Sequence, residues 1–293
     1  MDPRLEIIRP LNAAMSAFAV LAGGIVAAGT DVLSSPPTFG LFVAMLVAFL
    51  YTGGGNTLND YYDRLIDRVN HPDRPLPMKR IRPASAWRLS IFLFASGLIS
   101  SFFIGWPGIN HLCLLIALLN MFLLWAYEFS LKRSGLPGNL TISWLTASLF
   151  LFGGAAVIPP GTSYEVPVQV LVLSLLAFLA SMGRELIKGI EDIEGDTDRR
   201  TVPRLIGPKR AGAVASAWIL LAVLLSPSPV FPMALFEPLY YIPLMVGADA
   251  IFIYSLLVLM RNPGLSSRLT KVAMLLALLA FLAGGLAKVK VGE

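Results

Sequence analysis

Two acidic stretches, each directly after a long apolar run, hold the residues most suited to chemistry: Asn59-Asp60-Tyr61-Tyr62-Asp63-Arg64-Leu65-Ile66-Asp67 and Glu191-Asp192-Ile193-Glu194-Gly195-Asp196. Carboxylates at the edge of an apolar bundle are costly unless something cationic neutralises them. Asn59, Asp63 and Asp67 are spaced i, i+4, i+8, and at about 100° per residue they drift only some 40° per step, which predicts one stripe on a helix. Asp192 and Asp196 repeat the i, i+4 spacing. Two such stripes facing one another would form a set of hard oxygen donors open in the middle. Mg²⁺ prefers that arrangement, with a few carboxylates, retained waters and substrate phosphate oxygens. Zinc would want His or Cys, and the chain has two His and one Cys. His71 lies in a Pro-rich turn and is read as a turn or capping residue. Cys113 is read as space-filling.

Cations complete the constellation. Arg68, Arg74, Lys132, Arg133 and Lys188 all fall in connections expected on the same side of a membrane as the acidic stretches. Arg offers phosphate a bidentate fork and Lys a point charge, and Tyr127 adds a neutral donor. Carboxylates, an implied Mg²⁺ and basic side chains at the mouth of an apolar cavity suit a diphosphate joined to a long hydrocarbon. Metal and cations would stabilise the departing diphosphate, and a dry bundle would shield the allylic cation from water. Aromatic faces on the helices could stabilise that cation. The plainer reading is an interfacial helix end laced with salt bridges. Matched spacing in two stretches on one side argues against it. Asp60 sits about 100° away from the Asn59 stripe and is expected to bond a neighbouring helix or an Arg. Asp249, in mid-membrane, is expected to hydrogen-bond another helix.

The elements that must position these groups are transmembrane helices. The 293 residues are 56% hydrophobic and 14% charged, which places the chain among polytopic membrane proteins. Roughly 20 apolar residues span a bilayer as a helix, and about nine such stretches occur, near 11–30, 38–58, 86–105, 109–130, 138–158, 167–190, 210–226, 239–260 and 268–288. The expected fold is an all-α bundle around a central apolar cavity, one transmembrane domain over 1–293. Met1 to Pro10 is polar and shows no signal-peptide pattern, so the first helix is expected to be retained. Lys and Arg collect in alternate connections, which predicts that the N-terminus and both acidic stretches are cytoplasmic in the cell membrane. Each acidic stretch is preceded by an apolar helix and followed by a basic loop, a hint of two repeated halves. The pairs Gly23-Gly24, Gly153-Gly154 and Gly284-Gly285 suit close helix packing.

With these residues in view, the chain resembles the UbiA superfamily of intramembrane prenyltransferases. Asn59-Asp60-x-x-Asp63-x-x-x-Asp67 matches its first motif, and Asp192-x-x-x-Asp196 has the spacing of its second. His71-Pro72-Asp73-Arg74-Pro75-Leu76-Pro77 looks like its Arg-Pro-Leu/Ile-Pro segment. Tyr127 to Arg133, then Gly135 to Asn139, resembles its tyrosine-to-lysine loop. Gly183 to Asp196 looks most like the branch of archaeal digeranylgeranylglyceryl phosphate synthases, with Gly189 departing from an Asp often found there. The resemblance implies that Asn59, Asp63, Asp67, Asp192 and Asp196 are the catalytic, Mg²⁺-holding residues. It implies that Arg74, Tyr127, Lys132 and Lys188, with Arg68, bind the diphosphate. The implied reaction joins geranylgeranyl diphosphate to the free hydroxyl of geranylgeranylglyceryl phosphate, an ether-lipid step whose partners are membrane lipids and not nucleic acid. Arg9, Lys79 and Arg80 are candidates for the acceptor's phosphate. Two alternatives keep the same residues: prenylation of an aromatic quinone or tetrapyrrole precursor, and a non-catalytic carrier of phosphorylated lipid.

Overall fold

A computed structural model describes residues 2–29, 32, 37–159, 161, 165–193 and 200–287. Its helices are α1 (Pro3–Ile8), α2 (Pro10–Ala28), α3 (Pro37–Asp63), α4 (Asp67–Asn70), α5 (Pro83–Ser101), α6 (His111–Phe129), α7 (Leu136–Ala156), α8 (Val168–Glu191), α9 (Val202–Ile206), α10 (Pro208–Leu225), α11 (Pro238–Val258) and α12 (Pro263–Leu286). Among the described residues nine of these, all but α1, α4 and α9, are long and apolar enough to cross a membrane. Side chains such as Phe122, Leu224 and Leu257 stand exposed on the outside, as a lipid-facing surface requires. The chain is an all-α, multi-pass membrane protein.

The helix starts follow local chemistry. Proline occupies the first turn of α2, α5, α7, α10, α11 and α12, where its missing N–H leaves no helical bond unmade. Asn110 and Asn262 cap α6 and α12 by accepting from the N–H groups of Cys113 and Leu265. The stops carry more functional weight. α3 continues to Asp63, five residues past the apolar stretch that ends near 58, and so brings Asn59 and Asp63 onto the helix itself.

α2 and α7 cross without side chains between them at Gly23 and Gly153. A Cβ on either glycine would run into the backbone carbonyl of the other helix, at Phe150 and Val20 respectively. The expected repeat appears as a shared order, with α3–α4–α5 and α8–α9–α10 each placing a short helix between two packed spans. Within the second half Gly189 faces Pro203 of α9, and a Cβ there would sit 3.2 Å from the proline ring.

Candidate active site

Successive crossings reverse direction, so the ends of α3 and α8 and the starts of α2 and α12 lie at one end of the bundle. The first acidic stretch does not form the single stripe that its spacing predicts. α3 stops at Asp63, Arg64 to Ile66 form a turn, and Asp67 begins the separate helix α4. Its carboxylates accordingly divide between two clusters.

In the first cluster Asn59 Nδ2 donates to both Glu128 carboxylate oxygens at 3.1 and 3.0 Å and lies 3.4 Å from Asp63 Oδ2. Lys132 Nζ donates to Asp63 at 2.6 Å and to Glu128 at 3.3 Å. Two carboxylates thus share one ammonium, leaving a net charge of −1 on groups largely removed from water. Lys132 reaches this position because α6 ends at Phe129 and a 3₁₀ turn over Leu131–Arg133 folds it back beside Glu128.

In the second cluster the buried Asp60 and Asp67 meet two guanidiniums. Arg74 Nη1 donates to Asp67 at 2.7 Å and to Asp60 at 3.4 Å, and Arg9 pairs with Asp60 from the start of α2. Two charges of each sign balance. Asp60 thus bonds arginine, as its offset from the Asn59 stripe led one to expect. Outside it, Arg80 grips Glu6 with two bonds of 2.7 Å, tying α1 to the loop before α5. His71 is exposed and ends α4, its N–H donating to Asp67 O.

The second acidic stretch also departs from a helical stripe. α8 stops at Glu191, and the exposed Asp192 is its C-cap, with its N–H donating to Lys188 O. Asp196 lies outside the described residues. Lys188 and Arg68 are exposed, and Tyr127 is half-buried one residue before Glu128.

Beside these groups runs a cavity of about 490 Å³, walled by α2, α3, α7, α8, α10, α11 and α12, within the range of sites that enclose lipid- or drug-sized ligands. Thr52 and Asn56 line it from α3, and helical periodicity carries that face on through Asn59 and Asp63, one and two turns beyond the lining toward the mouth. Asn56 is fixed by donating to Ile8 O at 2.9 Å. The walls are mainly apolar. The floor carries the mutually edge-on rings of Tyr241 and Phe281, with centroids 5.3 Å apart. Asp249 also faces the cavity and accepts from Ser226 Oγ at 2.6 Å, the interhelical bond expected of it. A smaller cavity of about 210 Å³ between α2, α3, α6 and α7 shares Ser16, Thr52, Ile142, Thr146 and Leu149 with the larger one.

A model of the UbiA prenyltransferase family matches residues 16–285. The chain belongs to the UbiA prenyltransferase family. A digeranylgeranylglyceryl phosphate synthase of Methanosarcina mazei is 41% identical over 292 residues, covering 96% of this chain and 97% of the relative. A solved structure concerned with digeranylgeranylglyceryl phosphate synthase in membranes superposes with a TM-score of 0.78 at 31% identity, covering 97% of this chain and 98% of that one. A UbiA homolog from Archaeoglobus fulgidus, solved bound to GPP and Mg²⁺, shares the fold with a TM-score of 0.68 at 19% identity over 94% and 99% of the two chains. The all-helical fold, with nine candidate spans among the described residues, is therefore that of a UbiA prenyltransferase.

Sequence reasoning overlooked Glu128, Arg184, Glu185 and Lys271 at this end. Glu128 had a visible signal, since it stands four residues before Lys132 at a helix end. Arg184, Glu185 and Lys271 had none, because which face of a span looks inward depends on the bundle's packing.

Proposed function

We propose that the chain transfers a geranylgeranyl group from geranylgeranyl diphosphate to the free hydroxyl of geranylgeranylglyceryl phosphate. The bond from the donor's first carbon to diphosphate breaks, the acceptor oxygen bonds that carbon, and the hydroxyl proton is released. The observation that carries this reading is the apolar cavity lined on α3 by Thr52 and Asn56, a helix face that runs on through Asn59 and Asp63. The near-full-length likeness to the Methanosarcina mazei synthase favours a glycerol-phosphate acceptor over an aromatic one.

Within this reading Asn59, Asp63, Asp67, Asp192 and Asp196 hold Mg²⁺. The donor set suits that ion. Asn59, Asp63 and Glu128 present oxygen ligands with an excess of negative charge. Mg²⁺ keeps waters and substrate phosphate oxygens among its ligands, so the carboxylates need not enclose it by themselves. When bound, the metal neutralises charge on the departing diphosphate. Arg74 and Lys132, each resting on an aspartate, contact the diphosphate with Tyr127, Lys188 and Arg68. The apolar walls exclude water from the allylic cation, protecting it from hydrolysis. The N-terminus and the mouth face the cytoplasm, where lysine and arginine concentrate.

Purified protein given labelled geranylgeranyl diphosphate should release diphosphate and form an ether with geranylgeranylglyceryl phosphate. Product only with an aromatic acceptor, or tight donor binding without diphosphate release, would refute the assignment.

A further inference from the structure

We propose that Arg184 of α8 and Lys271 of α12 form a subsite for the acceptor's phosphate, separate from the diphosphate site at Asp63 and Lys132. This inference rests on the function proposed above and specifies which end of the cavity reads the acceptor headgroup. Both side chains line the 490 Å³ cavity. α8 and α12 pack against each other, and because they cross in opposite directions, the late Arg184 and the early Lys271 fall at the same end. Along α8 the lining passes from Leu173 and Leu176 through Ser181 to Arg184. Along α12 it passes from Phe281 and Leu278 back to Lys271. Each wall therefore grades from apolar to cationic, the profile of a molecule with a hydrocarbon tail and an anionic head.

Arg184 is incompletely satisfied. Its Nη1 donates to Glu185 Oε1 at 3.0 Å, while its buried Nε has no hydrogen-bond partner. A buried N–H left without an acceptor is costly, and a phosphate oxygen is the acceptor that a guanidinium fork fits best. Arg184 and Lys271 against Glu185 leave one positive charge at this end. Asp249, the other carboxylate facing the cavity, is engaged by Ser226 near the Tyr241 floor.

The other cations near the mouth are occupied or lie elsewhere. Arg9 is paired with Asp60 and Arg80 with Glu6, and Lys132, beside Asp63 and Glu128, belongs to the diphosphate site. Lys79 is exposed on a turn before α5 and lines neither cavity. Of the three candidates drawn from sequence for the acceptor's phosphate, none borders the cavity.

The test compares two acceptors, geranylgeranylglyceryl phosphate and its dephosphorylated counterpart geranylgeranylglycerol, in wild type, Arg184→Met, Arg184→Lys and Lys271→Met. Wild type should prefer the phosphorylated acceptor in kcat/KM. Arg184→Met and Lys271→Met should each raise KM for it by about 10- to 100-fold, the loss expected for one charged hydrogen bond. The donor's KM should stay within about threefold, and the preference for phosphate should shrink toward one. Arg184→Lys, which keeps the charge without the fork, should fall between. Equal loss with both acceptors, or a rise in the donor's KM instead, would overturn the subsite while leaving the reaction standing. Wild type inert toward both glycerol acceptors would overturn the reaction, and the subsite with it. Lys271 is exposed, so its variant remains informative if the Arg184 variants fold poorly.

Discussion

Lys132 Nζ lies 2.6 Å from Asp63 Oδ2, joining the turn after α6 to the last residue of α3 across 69 positions of sequence. The same ammonium reaches Glu128, so one cation serves two carboxylates at the cavity mouth. A cluster with surplus negative charge suits a divalent ion, whereas the buried Asp60, held between Arg9 and Arg74, suits a structural tie. The two groups of acids should therefore respond differently to substitution.

Asp63→Ala and Asp192→Ala should abolish turnover, by at least about 100-fold in kcat, while the protein still folds. Removing Asp63 leaves Glu128 and Lys132 matched one to one, and Asp192 is exposed. Diphosphate release measured beside thermal melting in detergent separates the two effects. Wild-type turnover in either variant would refute the assigned roles.

Asp60→Asn should act mainly on stability. Asp60 is 2% exposed and joins Arg9 to Arg74. Breaking such a pair costs about 3 kcal/mol, the lower end for buried ion pairs, because both arginines keep some contact with water. An unchanged melting temperature would show that the tie contributes little.

Chelation should stop diphosphate release, and added Mg²⁺ should restore it where Zn²⁺ does not. Described donors at the mouth are carboxylate and amide oxygens without cysteine, and His71 is exposed at the end of α4. Full activity in excess chelator would count against a metal.

Gly153→Leu should disrupt the α2–α7 crossing, since its first side-chain carbon already meets the Val20 carbonyl. Backbone cannot yield as a flexible side chain can, so the loss should reach about 3 kcal/mol or more. Size-exclusion profiles and melting in detergent would report it, and native behaviour would imply a looser crossing.

Glu6 offers a pH test outside the spans. Hydrogen bonds from Arg80 hold its carboxyl below the ordinary carboxylate range. A depressed folded-state pKa gives stability that is present above the unfolded pKa and is lost as pH falls through the lowered value. The melting difference between wild type and Glu6→Gln should thus be present at neutral pH, shrink once the pH falls below the ordinary carboxylate value of 4.5, and vanish only below the lowered one. A difference that grew on acidification would contradict the pair.

Long apolar runs, prolines at helix starts and alternating basic loops determined in the sequence that this chain crosses a membrane as about nine helices, because a bilayer admits few other ways to satisfy the backbone. The motif residues Asn59, Asp63, Asp67, Asp192 and Asp196 were legible as types and spacings. Their placement was not. Spacing suggested that Asn59, Asp63 and Asp67 share one stripe, but the helix break after Asp63 sends Asp67 to Arg74 and leaves Asp63 to Lys132. Periodicity measures angles only while a helix lasts, and these runs lie at helix ends. Glu128 on Asn59 and the inward aspect of Arg184 and Lys271 are likewise matters of tertiary structure. Each depends on how one helix is rotated against neighbours distant in sequence, a choice made by packing at sites such as Gly23 and Gly153.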